Sequence, residues 1–276
     1  MSDNDVLRYG VHTQTHSTSV VEQAVEAIRL VGFAVVDGGY SAHELQELSA
    51  AFDRAAVSTQ ERYGGREALE KIDEHNTIRV PLACDRLFLD LAQNANVLGV
   101  CRRLIGDYVI LNQQNGIINP PNAQRYNQAA FHRDLPYQHF VSSRPLAVNA
   151  LFCVDPFTMD NGATLVVPAS HKEEAFPSDY VVKSLQVPVT ASAGSFIVLD
   201  AMLFHSGGVN GTGGVRRAVN HLYTVPIIRQ QIDLPAFLGA NYVSDPDIRR
   251  LLGYEVQTPR DVLAFYDARR ARVTNK

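Results

Sequence analysis

Two histidines and an aspartate are the residues of this 276-residue chain best placed to do chemistry. The run "AAFHRDLPYQHF" (129–140) sets His132 and Asp134 two positions apart, and "VLDAMLFHSGG" (198–208) sets His205 between an apolar stretch and a glycine turn. On extended backbone, residues i and i+2 point to the same side, so His132 and Asp134 can reach one ion. Two imidazoles and one carboxylate on one face of a metal, with the other face open, form the ligand set of redox-competent non-haem iron(II) sites. Each part alone is weak, since a His-x-Asp is more often a satisfied polar pair and a lone histidine before Gly-Gly more often structural. As the third ligand, His205 fits better than His12 or His16 in the polar leader, His43 or His75 in the helical half, or His171 after "VVPAS"; His139 and His221 stay open as outsiders.

The elements that must position these groups change character along the chain. Residues 1–18 are polar. From Ser19, the apolar positions Val21, Ala24, Val25 and Ile28 recur at helical spacing up to Gly32, and "FAVV" follows as a short strand. Ser41 and Glu44 have the spacing of a capping box, which starts a second helix. Residues 59–75 are charged and glycine-containing, hence an exposed segment and a candidate lid together with the turn after His205. Two short helices are expected around 87–92 and 97–105. Beyond Gly106, "YVILN", "AVNALFCV", "ATLVVP", "SFIVLD" and "AVNHLYTV" read as strands separated by turn residues. Helices first and strands later, without βαβ alternation, predict a double-sheet jelly roll supported by helices. "PRDVLAFYDARRARV" closes the chain as an amphipathic helix. The expectation is one domain: helical support over 19–106, jelly-roll core over 107–226, and a C-terminal extension over 227–276.

Composition narrows the partners. A net charge of −4 with no long basic run does not recommend nucleic acid or an anionic membrane. Three widely separated cysteines without a CxxC pair read as reduced, mostly buried thiols, and no apolar stretch is long enough to span a bilayer. With no signal-peptide pattern, the expected setting is cytoplasmic.

The order His-x-Asp, "DNGATLVVPASH", strand, His, glycine turn, Arg resembles the phytanoyl-CoA dioxygenase family of iron(II)/2-oxoglutarate-dependent oxygenases. The matching stretches are "FHRDLPY" (131–137), "DNGATLVVPASHK" (160–172) and "LFHSGGVNGTGGVRRA" (203–218). The resemblance implies a mainly β fold with flanking helices, the double-stranded β-helix or cupin-like jelly roll. It implies His132, Asp134 and His205 as iron ligands, with 2-oxoglutarate and O2 as cosubstrates. It makes Arg216, eleven residues after His205, the partner of the cosubstrate's distal carboxylate, with Asn119 and Asn149 near family positions that also touch 2-oxoglutarate. "PASH" stands where the family more often has Pro-Gly-Ser-His, and His171 is read as structural. The resemblance also gives Asp134 a meaning, because related halogenases lack a carboxylate there; its presence argues for hydroxylation or a related oxidation.

Physical chemistry agrees with the arginine: a planar guanidinium meets both oxygens of a carboxylate. On a strand, Arg216 and Arg217 face opposite ways, and small Ala218 beside Arg216 leaves room for a bound molecule. Arg217 is then an outward charge. The expected reaction is oxidation, by default hydroxylation, of a small organic metabolite of a specialised biosynthetic pathway. The competing readings are a zinc or manganese cupin hydrolase or isomerase, against which Arg216 counts, and a metal-free jelly-roll binding module. Arg79 in "HNTIRVPL", Tyr137, Gln138 and Arg125 are candidate substrate contacts; each arginine reads alternatively as half of a surface or structural ion pair, and one lining the cavity would favour an anionic or carbonyl-bearing substrate.

Overall fold

The computed structural model describes residues 17–274, so most of the polar leader, with His12 and His16, lies outside the described residues. Ser17 and Thr18 are already tied to the first helix, through Glu26 and Glu22. That helix, α1 (Val20–Val31), starts in a complete capping box between Ser19 and Glu22 and stops where Gly32 turns left-handed at φ 96°. Strand β1 (Phe33–Asp37) follows, then α2 (Ala42–Arg62), which Ser41 and Glu44 cap in the same reciprocal way. A short α3 (Gly65–Glu70), strand β2 (Thr77–Arg79), α4 (Arg86–Leu91) and α5 (Ala95–Ile105) complete the helical half. The segment expected to be exposed over 59–75 is mostly exposed, and it is largely helical. Within it Thr59 of α2 and Leu69 of α3 are buried.

The strand half contains β3 (Ile110–Asn119), β4 (Ala147–Cys153), β5 (Thr164–Val166), α6 (Asp179–Leu185), β6 (Val187–Val189), β7 (Ser195–Asp200), β8 (His205–Ser206) and β9 (Arg216–Thr224). A six-stranded sheet runs β1-β7-β4-β9-β3-β2 and a three-stranded sheet runs β6-β5-β8. The pairings within both sheets are antiparallel. This is the double-sheet jelly roll, with the helices on the outer face of the larger sheet.

Packing assigns the two faces. Val148, Ala150, Phe152, Phe196, Val198, Val219 and Tyr223 share a core with α1, α2, α4 and α5, whereas Ile117, Cys153, Ile197, Leu199 and Ala218 pack between the sheets. Strands covered on both faces lose the polar alternation of a half-exposed sheet, and β7 is buried at every position. A register shift in β3 between Leu111 and Gln113 lets Asn112 leave the ladder and donate to Arg229 O at 3.0 Å.

Downstream lie α7 (Leu234–Leu238), α8 (Pro246–Leu251) and α9 (Val262–Thr274). The terminal helix is not amphipathic as expected. It buries no residue, and Val262, Leu263, Phe265 and Tyr266 are all exposed because its apolar residues cluster in one turn rather than along one stripe. Cys84 is exposed, while Cys101 and Cys153 are buried, and none is disulfide-bonded. Among the described residues no helix is long and apolar enough to cross a membrane.

Candidate metal and cosubstrate site

Backbone pairing brings the three candidate ligands together. His132 and His205 form an antiparallel bridge in which each N–H donates to the other's carbonyl, at 2.8 and 3.0 Å. Asp134 continues the same extended segment and donates its N–H to Ala201 O at 2.8 Å. The result is a cluster whose ligand atoms all lie within 4.8 Å of one another. Asp134 Oδ1 sits 3.6 Å from His132 Nε2 and 3.7 Å from His205 Nε2.

Hydrogen bonds behind the imidazoles fix which nitrogen faces the cluster. His132 Nδ1 lies 2.8 Å from Ala130 O, and His205 Nδ1 lies 2.8 Å from Leu203 O. A carbonyl only accepts, so both Nδ1 atoms carry the hydrogen and both Nε2 lone pairs point at the shared space, the arrangement a metal ion needs. Asn149 Nδ2 donates to Asp134 Oδ2 at 2.7 Å, orienting the carboxylate. Burial would raise the Asp134 pKa, but His205, His132 and Asn149 outweigh it and hold the carboxyl below its ordinary value. Burial dominates at His205 and lowers its pKa, keeping the imidazole neutral. At His132 burial is outweighed by Asp134, and the pKa is raised. An ionised carboxylate flanked by imidazoles is a donor set that fits a divalent transition metal.

The cavity around this cluster is walled by both sheets, and Arg216 is part of its lining. The side chain is buried; its guanidinium carbon sits 4.0 Å over the Phe157 ring, and its Nη2 donates to Gly162 O at 3.0 Å and lies 3.5 Å from Tyr126 Oη. Its Nε has no partner. Among the described residues no carboxylate pairs with it. Burial presses its pKa below the ordinary value, yet arginine remains charged. A buried cation facing a cavity without an anionic partner fits a ligand carboxylate.

Arg217 faces the other way, as alternation requires, but it is not a loose outward charge. Its guanidinium donates to Asp155 at 2.7 and 3.0 Å and to Asp53 of α2 at 2.8 Å, tying β9 to the helical layer. Asn119 stands opposite Arg216 in the β3–β9 register but outside the cavity lining; its Nδ2 donates to Gly208 O at 2.9 Å. It therefore secures the glycine turn after His205.

None of the four expected substrate contacts lines the cavity. Arg79 is engaged by Glu74, with Nε donating at 2.8 Å, and by Gln231. Arg125 is exposed, and Tyr137 is 67% exposed. Gln138 instead accepts from the Arg133 backbone N–H at 3.2 Å. The two outsider histidines are elsewhere: His221 is buried on the helix side against Gln114 and Ala150 O, and His139 packs against Phe176 with the rings tilted by 54°. His171 is buried against the end of α1, where a Cβ on Gly32 would come within 2.8 Å of its Nδ1.

Residues unremarkable in sequence take up the wall. Tyr126 stands beside Arg216, and a side chain at Gly207 would collide with its hydroxyl. Gln128 and Asn220 face the cavity. Arg133, between the two ligands, points away from them and donates to carbonyls of Gln138, Ser170, Glu173, Glu174 and Ala175, which clamps the His-x-Asp segment in place. Alternation on β9 was the available signal for Asn220; the loop residues Tyr126 and Gln128 offered none.

Comparison with known proteins places the chain in a family. The model of the phytanoyl-CoA dioxygenase (PhyH) family matches residues 28–218. The uncharacterized protein Rv1501 of Mycobacterium tuberculosis is 32% identical over 276 residues, which span 96% of this chain and 98% of that protein. Dioxygenase af480 of Aspergillus fumigatus is 32% identical over 146 residues, 50% of this chain and 45% of its own length. The crystal structure of EctD from S. alaskensis with 2-oxoglutarate and 5-hydroxyectoine superposes with a TM-score of 0.63 at 22% identity, over 80% of this chain and 82% of that one. The chain belongs to the phytanoyl-CoA dioxygenase family and is an iron(II)/2-oxoglutarate-dependent dioxygenase.

Proposed function

We propose that the chain works as a single oxygenase domain that hydroxylates a small organic metabolite, of the kind a specialised biosynthetic pathway supplies. His132, Asp134 and His205 would hold iron(II), and Arg216 would hold the distal carboxylate of 2-oxoglutarate. The observation that carries this reading is the pairing, in one cavity, of a cluster with both Nε2 lone pairs turned inward and a buried arginine without a protein anion. When bound, the metal would supply the activation of O2, the oxidant of the substrate carbon, with 2-oxoglutarate oxidised to succinate and carbon dioxide.

The protein's own groups do the positioning. Ala130 and Leu203 carbonyls hold the two imidazole rings in the required tautomer. Asn149 fixes the carboxylate rotamer, and Arg133 fixes the backbone between the ligands. Tyr126 and Phe157 close the space around Arg216, so its charge acts in a region poor in water.

The test is anaerobic addition of iron(II) and 2-oxoglutarate to the full chain. A weak visible charge-transfer band is expected, followed on admission of oxygen by succinate formation. His205→Ala should lose the band and weaken iron binding by roughly two orders of magnitude or more, while circular dichroism stays native because the core does not need the metal. Unaltered iron binding in His205→Ala would refute the ligand assignment.

A further inference from the structure

We infer that the substrate of this cavity is uncharged and presents a hydroxyl or carboxamide that Asn220 reads; the inference rests on the oxygenase reading above. With the triad committed to a metal and Arg216 to the cosubstrate, the cavity wall retains neutral polar groups, the amides Asn220, Gln128 and Asn149 foremost. Among the described residues no second lysine or arginine lines it. Arg79 is held by Glu74 and Arg125 is exposed outside the lining. A carboxylate or phosphate in this enclosure would lose its hydration without gaining a fixed counter-charge, which is the costly way to bury an ion.

Asn220 has the free capacity. The Asn149 amide nitrogen is already given to Asp134, which leaves only its Oδ1 without a partner, whereas the Asn220 side chain makes no hydrogen bond at either end among the described residues and its Oδ1 is buried. The ladder fixes its position: Asn220 pairs with Leu151 on β4 and Asn115 on β3, and the next inward pair joins Leu222 to Asn149. Asn220 is thus one pair from the residue that orients Asp134, beside the reacting centre. One carboxamide offers both a donor and an acceptor, which a hydroxyl or a second carboxamide can answer and a carboxylate only half answers. A site built to hydrogen-bond a substrate group rejects analogues lacking that group far more sharply than an apolar pocket sorts by size.

The test uses the full chain with nickel(II) in place of iron(II) and with 2-oxoglutarate, so that ligands bind without turnover. The probes are a panel in which each carbon skeleton appears as primary alcohol, carboxamide, carboxylate and coenzyme A thioester, titrated by ligand-observed NMR. We expect at least one neutral member to bind roughly tenfold or more tighter than its carboxylate and thioester, and Asn220→Leu to erase that preference. The 2-oxoglutarate affinity of Asn220→Leu should stay within about twofold of the parent. Preference for an anionic member, no neutral binder in the panel, or a roughly tenfold loss of 2-oxoglutarate affinity in Asn220→Leu overturns the inference. Should Asn220→Leu not fold, Asn220→Asp keeps the shape and, by exchanging the amide donor for a charge, must weaken the neutral probe; unchanged binding overturns the inference equally. Failure of the parent chain to bind 2-oxoglutarate at all would instead defeat the oxygenase reading.

Discussion

On the cavity side of β9, Arg216 presents a buried guanidinium whose nearest protein partners are a carbonyl and a phenol. One residue on, Arg217 turns toward the helices and meets two carboxylates, Asp155 and Asp53. The histidines repeat the contrast. His205 leaves Nε2 open to the cavity, while His221 on the helix side places Nε2 2.9 Å from Gln114 and Nδ1 3.0 Å from Ala150 O. The same residue types are satisfied by the protein on one face and left unsatisfied on the other. A folded chain tolerates such vacancies where a ligand fills them.

The strongest test of this contrast is to remove each arginine. Arg216→Met should raise the 2-oxoglutarate requirement by one to two orders of magnitude, the loss of a charge-assisted contact of roughly 1.5–3 kcal/mol. Its unfolding free energy should stay level or rise, because an unpaired buried cation is gone. Denaturant titration alongside a 2-oxoglutarate titration of succinate formation checks both halves. Arg217→Met should do the reverse, costing about 2–4 kcal/mol of stability by stranding Asp155 in a half-buried position, with 2-oxoglutarate affinity within about twofold. If the Arg217 variant is the one that needs more cosubstrate, the faces have been assigned the wrong way round.

The smallest effect sharpens the histidine half of the comparison. Burial pushes the His221 pKa down to about 4, so the folded state refuses a proton that the unfolded chain accepts near its ordinary value. Stability from this group is therefore intact above about pH 6.5 and falls as pH drops toward 4. His221→Gln retains a donor for Ala150 O and an acceptor for Gln114 but cannot titrate. At pH 5 it should recover about 1–2 kcal/mol of the stability that the parent loses relative to pH 7.5. Parallel pH–stability curves for the two proteins would show that His221 is not the buried neutral base described here.

What could be read in the sequence was whatever its chemistry keeps local. Ser19 with Glu22, and Ser41 with Glu44, announce helix starts because a capping box is complete within four residues. His132 and Asp134 announce a shared target because extended backbone sends both one way. The polar second half of β3, "QQNGIIN", was not legible as strand, because Gln114 is buried by partners as distant as His221 and the Phe88 carbonyl. For Arg79 and Arg125 the sequence left two readings, a cavity contact or a surface or structural ion pair, because a cation's role depends on the carboxylate that meets it; Glu74 meets Arg79, and Arg125 is exposed. The wall residues Tyr126 and Gln128 come from a loop whose course is set by contacts such as Gly207 N–H to Gln128 O at 2.7 Å. Over residues 59–75 the helices are anchored by Thr59 and Leu69, apart from which most of the segment is exposed.

The reciprocal bridge between His132 and His205 couples the spacing of the imidazoles to the sliding of one chain segment past another. Side chains alternate along extended backbone, so a slip of one residue would turn a ring out of the cavity rather than move it slightly. The site can therefore be present or absent but cannot drift through intermediate ligand spacings. It also joins positions 73 residues apart, so during synthesis it exists only after β8 has found the segment around His132. A nascent or misregistered chain then offers incoming metal a single His-x-Asp pair, and selective retention of the ion becomes a report that the barrel has closed.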